Sequence, residues 1–144
     1  MREIGTAMVF LCLIGMSCFD WRYQKIPMVW LVKFGAFVMV WRLMEGSGYW
    51  ELTVLGILVG ILSLWMSKVT KEAVGYGDSV MILLLGIHLG IIRQLLVLTI
   101  ASMLSAVLSL VGMTAWGWTR RKTIPFLPFL SIAYGGVMFC EIMC

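Results

Sequence analysis

Asp20 and Asp78 are the only aspartates in a chain of 144 residues, and each stands at the edge of an apolar run. An ionisable side chain at such a place is expensive unless something uses it. Paired carboxylates can hydrolyse a peptide bond: one, ionised, takes a proton from water, while the other, protonated, polarises the scissile carbonyl. That chemistry requires no metal and no nucleophilic side chain, so no cofactor is expected. A lone aspartate beside a spanning helix is an ordinary capping residue. Two on one side, with Gly75 and Gly77 just before the second, leave a catalytic pair and two structural residues evenly balanced.

The other reactive residues fit less well. His88 lies ten residues beyond Asp78, about 15 Å along a straight helix, and is expected to be an interfacial or packing histidine near the opposite end. Glu3, Glu45, Glu51 and Glu141 also fall toward that end. A serine triad would need the single histidine beside a serine on the polar side, where it is not expected. Cys12, Cys18, Cys140 and Cys144 form no Cys-x-x-Cys pair, so they read as ordinary buried thiols and not as a zinc site.

The elements that must position the two acids are membrane helices. Composition is 62% hydrophobic and 12% charged, where soluble domains carry about 25% charged residues. No polar stretch is long enough for a separate module, so 1–144 reads as one all-α membrane domain. A net charge of +4 would suggest nucleic acid in a soluble protein. Here the basic residues sit in short loops between apolar runs, as topology signals and contacts to anionic lipid, and no nucleic-acid partner is expected. No signal-cleavage site follows the first run, which reads as a retained helix.

Six apolar runs can be drawn, 4–19, 27–44, 52–67, 79–92, 94–116 and 125–143, giving a bundle of about six transmembrane helices. The loops after the first, third and fifth hold Arg22 and Lys25, Lys68 and Lys71, and Arg120, Arg121 and Lys122. The opposite side has Arg2, Arg42 and Arg93. The positive-inside rule then puts Asp20 and Asp78 on the cytoplasmic side of the cell membrane and both termini outside. Trp21, Tyr23, Trp65, Tyr76, Trp116 and Trp118 mark the inner interface, Trp41, Tyr49 and Trp50 the outer one. Lys33 is expected to snorkel inward. Stripes of small residues, Gly56, Gly60, Ser63 and Ser67 in the third run and Ser102, Ser105, Ser109 and Gly112 in the fifth, predict close helix packing.

The fourth run is short, since 14 residues span about 21 Å against a hydrocarbon core of about 30 Å. Starting it at Val74 restores a spanning length and sets Asp78 about one turn below the surface. Gly75 and Gly77 would let the chain bend there and bring Asp78 to a wet pocket open to the cytoplasm. Helix dipoles favour negative charge at the head of the fourth helix, where Asp78 stands, over the end of the first, where Asp20 stands.

Gly75-Tyr76-Gly77-Asp78 resembles the Gly-x-Gly-Asp signature of intramembrane aspartyl proteases, which include type IV prepilin peptidases, archaeal preflagellin peptidases and presenilin-like enzymes. Asp20 followed by Ile26-Pro27 is similar to the Asp-x5-Ile-Pro element at the first catalytic aspartate of prepilin peptidases. Ile124-Pro125-Phe126-Leu127-Pro128-Phe129-Leu130 is similar to the element that opens their last helix. The resemblance implies an aspartic endopeptidase that removes the basic leader of prepilins or pseudopilin-like proteins. It implies Asp20 and Asp78 as the catalytic pair, Gly75, Tyr76 and Gly77 as the loop, and Ile26, Pro27, Pro125, Phe126 and Pro128 as active-site wall. Met28, Val80 and Leu127 depart from residues common in the family, which bears on substrate preference. Larger bacterial members carry a cysteine-containing cytoplasmic insertion and methylate the new N-terminus; without that insertion, methyl transfer is not expected. An archaeal-type preflagellin peptidase shares the mechanism. A non-catalytic assembly factor or small transporter that keeps paired acids is the alternative of a different class.

Overall fold

A computed structural model of the chain describes residues 2–23, 27–46, 49–71, 75–119 and 124–144. Ile26, Val74 and the basic segment 120–123 lie outside the described residues. Within them the protein is helical: α1 (Arg2–Tyr23), α2 (Met28–Glu45), α3 (Trp50–Val69), α4 (Tyr76–Ala115) and α5 (Leu127–Met143).

The helical elements number five, not six, because the fourth and fifth runs form one 40-residue element. A straight helix of that length would reach about 60 Å, twice the hydrocarbon core. Gly90 breaks it, with φ 73° and ψ 171°, a backbone conformation open essentially to glycine alone. Gln94 shows how sharply the chain turns. Its Nε2 donates to the Ile82 carbonyl at 2.8 Å, although twelve residues of straight helix would separate the two by about 18 Å. The two arms of α4 therefore fold back on each other, and Arg93, assigned from sequence to a loop, sits just past the bend. It pairs with Glu141 of α5 at 2.7 Å.

Burial is inverted relative to a soluble bundle. Leu11, Val32, Leu58 and Val107 are each more than half exposed, and such apolar outer faces need lipid around them. Three helices, α1, α3 and α4, are long and apolar enough to cross a membrane, and α5 is a shorter apolar helix. The chain is a multi-pass membrane protein. Its four cysteines are free and exposed on the outer faces, not buried as composition suggested.

The first arm of α4 is the centre of the bundle. Met81, Leu84 and Leu85 pack with Leu31, Phe34 and Val38 of α2, Leu13 and Met16 of α1, and Leu127, Leu130 and Tyr134 of α5. Against α3 the approach is closer still. A Cβ on Gly56 would stand 2.6 Å from the Gly86 carbonyl oxygen, and one on Gly60 would overlap Leu83. The stripe on α3 thus packs as its spacing predicts. In the second stripe Ser102 is exposed, Ser105 and Ser109 are half-buried, and Gly112 packs against the Trp118 ring of its own chain segment. His88 is buried against the Tyr134 ring, with centroids 6.4 Å apart, a packing histidine inside the bundle. Trp41, expected at the outer interface, lies over Gly5 and donates to Glu45 at 3.1 Å. Lys33 leans back over the Trp30 ring, toward the end of α2 nearest Asp20.

Candidate active site

Asp20 occupies a core-facing position for the same reason its apolar neighbours do. Val9, Leu13, Met16 and Asp20 recur at helical spacing on one stripe of α1, and all four are buried. The stripe ends in a carboxylate that is only 8% exposed.

Asp78 is set by the head of α4. Gly75 is the residue before the helix, extended at φ −54° and ψ 131°, and Asp78 lies in the first turn. The carboxylate folds back over Gly75, where a Cβ would be 3.2 Å from Asp78 Oδ2. Glycine at this position leaves room for the acid. The next residue anchors the turn: Ser79, fully buried, donates its hydroxyl to the carbonyls of Gly75 and Ser63, both at 3.3 Å. Ser63 in turn donates to the Gly60 carbonyl at 2.7 Å. Ser63 was legible only as a packing residue; in the structure it ties α3 to the turn that carries Asp78.

Asp20 and Asp78 interact electrostatically with each other. Among the described residues the backbone of α1 runs closest to α5 and α2, and that of α4 to α3, α5 and α2. The two acids thus come from helices whose backbones do not approach closely, yet they act on each other's charge. The head of α5 stands beside Asp20, with the Leu127 N–H near its carboxylate. A helix N-terminus is a good partner for negative charge. Counting only the C-terminal dipole of α1 against Asp20 left this donor out, so the expected preference for charge on Asp78 does not follow from helix ends alone.

The remaining site residues divide. Pro125, Phe126 and Pro128 are partly buried at the head of α5, and the Phe126 carbonyl accepts from the N–H groups of Phe129 and Leu130 at 3.1 Å. Pro128 sits in the first turn, where its missing N–H costs nothing. Gly77 is partly buried beside Asp78. Tyr76 instead is 41% exposed and lines a cleft of about 470 Å³ with Ser67, Lys68 and Lys71. Pro27 is exposed and its carbonyl accepts the Trp30 N–H that opens α2. Ile26 lies outside the described residues. Among the described residues no group of three His, Cys, Asp or Glu side chains could hold a metal ion.

Two carboxylates from separate helices of a membrane bundle thus lie near enough to act on each other's charge. Residues 7–110, which include both acids, match the model of the type IV leader peptidase family, and the chain belongs to that family. It is 32% identical over 146 aligned residues to a prepilin leader peptidase/N-methyltransferase of Xanthomonas campestris pv. campestris, covering 92% of this chain and 48% of that protein. It is 30% identical over 144 residues to the protein of the same name from Dichelobacter nodosus, covering 91% of this chain and 47% of that one. The chain spans about half the length of these curated relatives. No solved structure matches it.

Proposed function

We propose that the protein is a membrane-embedded aspartic endopeptidase that removes the basic leader of prepilin or pseudopilin-like proteins at the cytoplasmic face of the cell membrane. The observation that carries this reading is that Asp20, at the buried end of α1, and Asp78, at the head of α4, lie near enough to act on each other's charge, in a member of this family. One carboxylate, ionised, takes a proton from water as its oxygen attacks the scissile carbonyl carbon. The other, protonated, gives its proton to the carbonyl oxygen. The tetrahedral intermediate collapses with cleavage of the C–N bond, the departing amine takes up a proton, and the pair returns to its shared-proton state. Pro125, Phe126 and Pro128 wall the site on the α5 side, and Gly75 and Gly77 give the substrate access to Asp78.

In this reading the ends of α1 and α3 that carry Arg22, Lys68 and Lys71 lie at the inner leaflet, against anionic headgroups, and both termini lie outside. Co-expression with a pilin-like substrate gives a leader-sized mobility shift, and N-terminal sequencing of the product locates the cut. Asp20→Asn and Asp78→Asn each abolish the shift. Processing at the parental rate by either variant refutes the pair, and absence of cleavage by the parent refutes the peptidase.

A further inference from the structure

The two acids are held in different ways. Asp20 has the Leu127 N–H near its carboxylate, whereas what acts on the Asp78 side chain is its own burial and the charge of Asp20. The place of Asp78 is therefore set by the backbone of its turn. That turn is the first of α4, and the first turn of a helix has N–H groups without helical partners and tends to fray. Something outside α4 must hold it.

α3 is the element that does. It supplies neither of the two acids nor a wall residue, and among the described residues its backbone runs close to that of α4 alone. Gly56 and Gly60 bring the two backbones into contact deeper in the seam. Ser63 follows about one turn further on, where the seam reaches the head of α4. There the helices exchange bonds: the Ser79 hydroxyl donates to the Ser63 carbonyl at 3.3 Å, and the Ser63 hydroxyl lies 3.4 Å from the Ser79 carbonyl. The Gly75 carbonyl already accepts the Ser79 N–H at 3.1 Å, which frees the single hydroxyl proton of Ser79 to serve α3. Ser79 is fully buried, so water does not compete for that bond.

A serine or threonine that bonds only the carbonyl four residues back touches nothing beyond its own helix. Thr99 and Thr114 do this on α4. Ser79 differs, because its hydroxyl also crosses to α3 and its neighbour in the chain is the acid. We infer that Ser63 and Ser79 form a clasp of positioning residues that fixes how close Asp78 stands to Asp20, with α3 as its brace. The inference rests on the peptidase reading above. Both serines act through the backbone of residues 75–79 and not by contact with the substrate.

The test uses the full chain in lipid discs with a synthetic leader substrate. It reads kcat, KM, the pH profile and the melting temperature of Ser79→Ala, Ser63→Ala and Ser102→Ala. Ser79→Ala lowers kcat about tenfold, the effect of a misplacement well short of the ~1 Å that costs about a hundredfold. KM stays within about twofold, because no substrate contact is lost. The pH profile narrows: carboxylates that stand further apart repel less, so the two apparent pKa values of the pair move toward each other. Ser63→Ala keeps the carbonyl that Ser79 bonds, so it shifts kcat and the profile in the same sense by less, and it carries the test if Ser79→Ala does not fold. Ser102→Ala removes a bond within α4 alone and leaves both parental. Parental kcat and pH profile in whichever clasp variant folds, even at a lower melting temperature, overturn the assignment while leaving the peptidase intact. A parent that does not cleave the substrate overturns the peptidase reading and the clasp's role with it.

Discussion

The α3–α4 seam makes the sharpest demand on sequence, and Gly56→Ala tests it. Ordinary van der Waals contact begins at 3.4 Å, and a Cβ on Gly56 would stand 2.6 Å from the Gly86 carbonyl oxygen, so the helices must part by about 0.8 Å at that point. The atom met is backbone in a helix, and no side-chain rotation relieves it. Overpacking of this kind costs about 1–3 kcal/mol. The same displacement acts on the turn that carries Asp78, because Ser63 and Ser79 lock α3 to the head of α4. A misplacement of about 1 Å at a reacting group can lower a rate about a hundredfold. Gly56→Ala is therefore expected to melt at lower temperature in detergent and to cleave substrate at least tenfold more slowly, the conservative end of that range. Gly136→Ala is the control, since a Cβ there meets nothing within 4 Å. Equal melting temperatures and rates for Gly56→Ala and Gly136→Ala would refute the close approach.

Gly90→Ala forces a side chain into a glycine-only conformation at a cost of about 1–3 kcal/mol, read as a lower melting temperature. Gln94→Leu removes the bond to the Ile82 carbonyl and lowers stability by about 0.5–1.5 kcal/mol, with a larger loss for Gln94→Glu because it buries a charge. Arg93→Ala changes stability by less than about 1 kcal/mol, because its pair with Glu141 is one-third or more exposed. The pH profile of kcat/KM is bell-shaped, with two apparent pKa values that belong to the acid pair as a unit; a flat profile would contradict shared-proton chemistry.

The sequence made the two acids conspicuous because a chain this apolar keeps charge only where charge has a use. The small-residue stripe of α3 was equally readable, since Gly56 and Gly60 recur at helical spacing. The same logic reached less far for Ser102, whose spacing is just as regular but which is exposed. Spacing reports which residues share a face, not what lies opposite. The bend at Gly90 was hidden for a related reason: a glycine in an apolar run reads as helix interior, and only the tertiary bond from Gln94 back to Ile82 reveals the reversal. Arg93 then looked like a loop residue because the turn it follows has no loop. The donor from Leu127 to Asp20 joins residues more than a hundred positions apart, and no local pattern encodes it.

The central claim is that Asp20 and Asp78 act as one catalytic unit. Its most direct measurement is the single-turnover cleavage rate of Asp20→Asn, Asp78→Asn and the double variant on one leader substrate. Residues that work as a unit give singles as slow as the double, and that equality is the expected result. Losses that multiply in the double variant, or a single variant that keeps the parental rate, would contradict it.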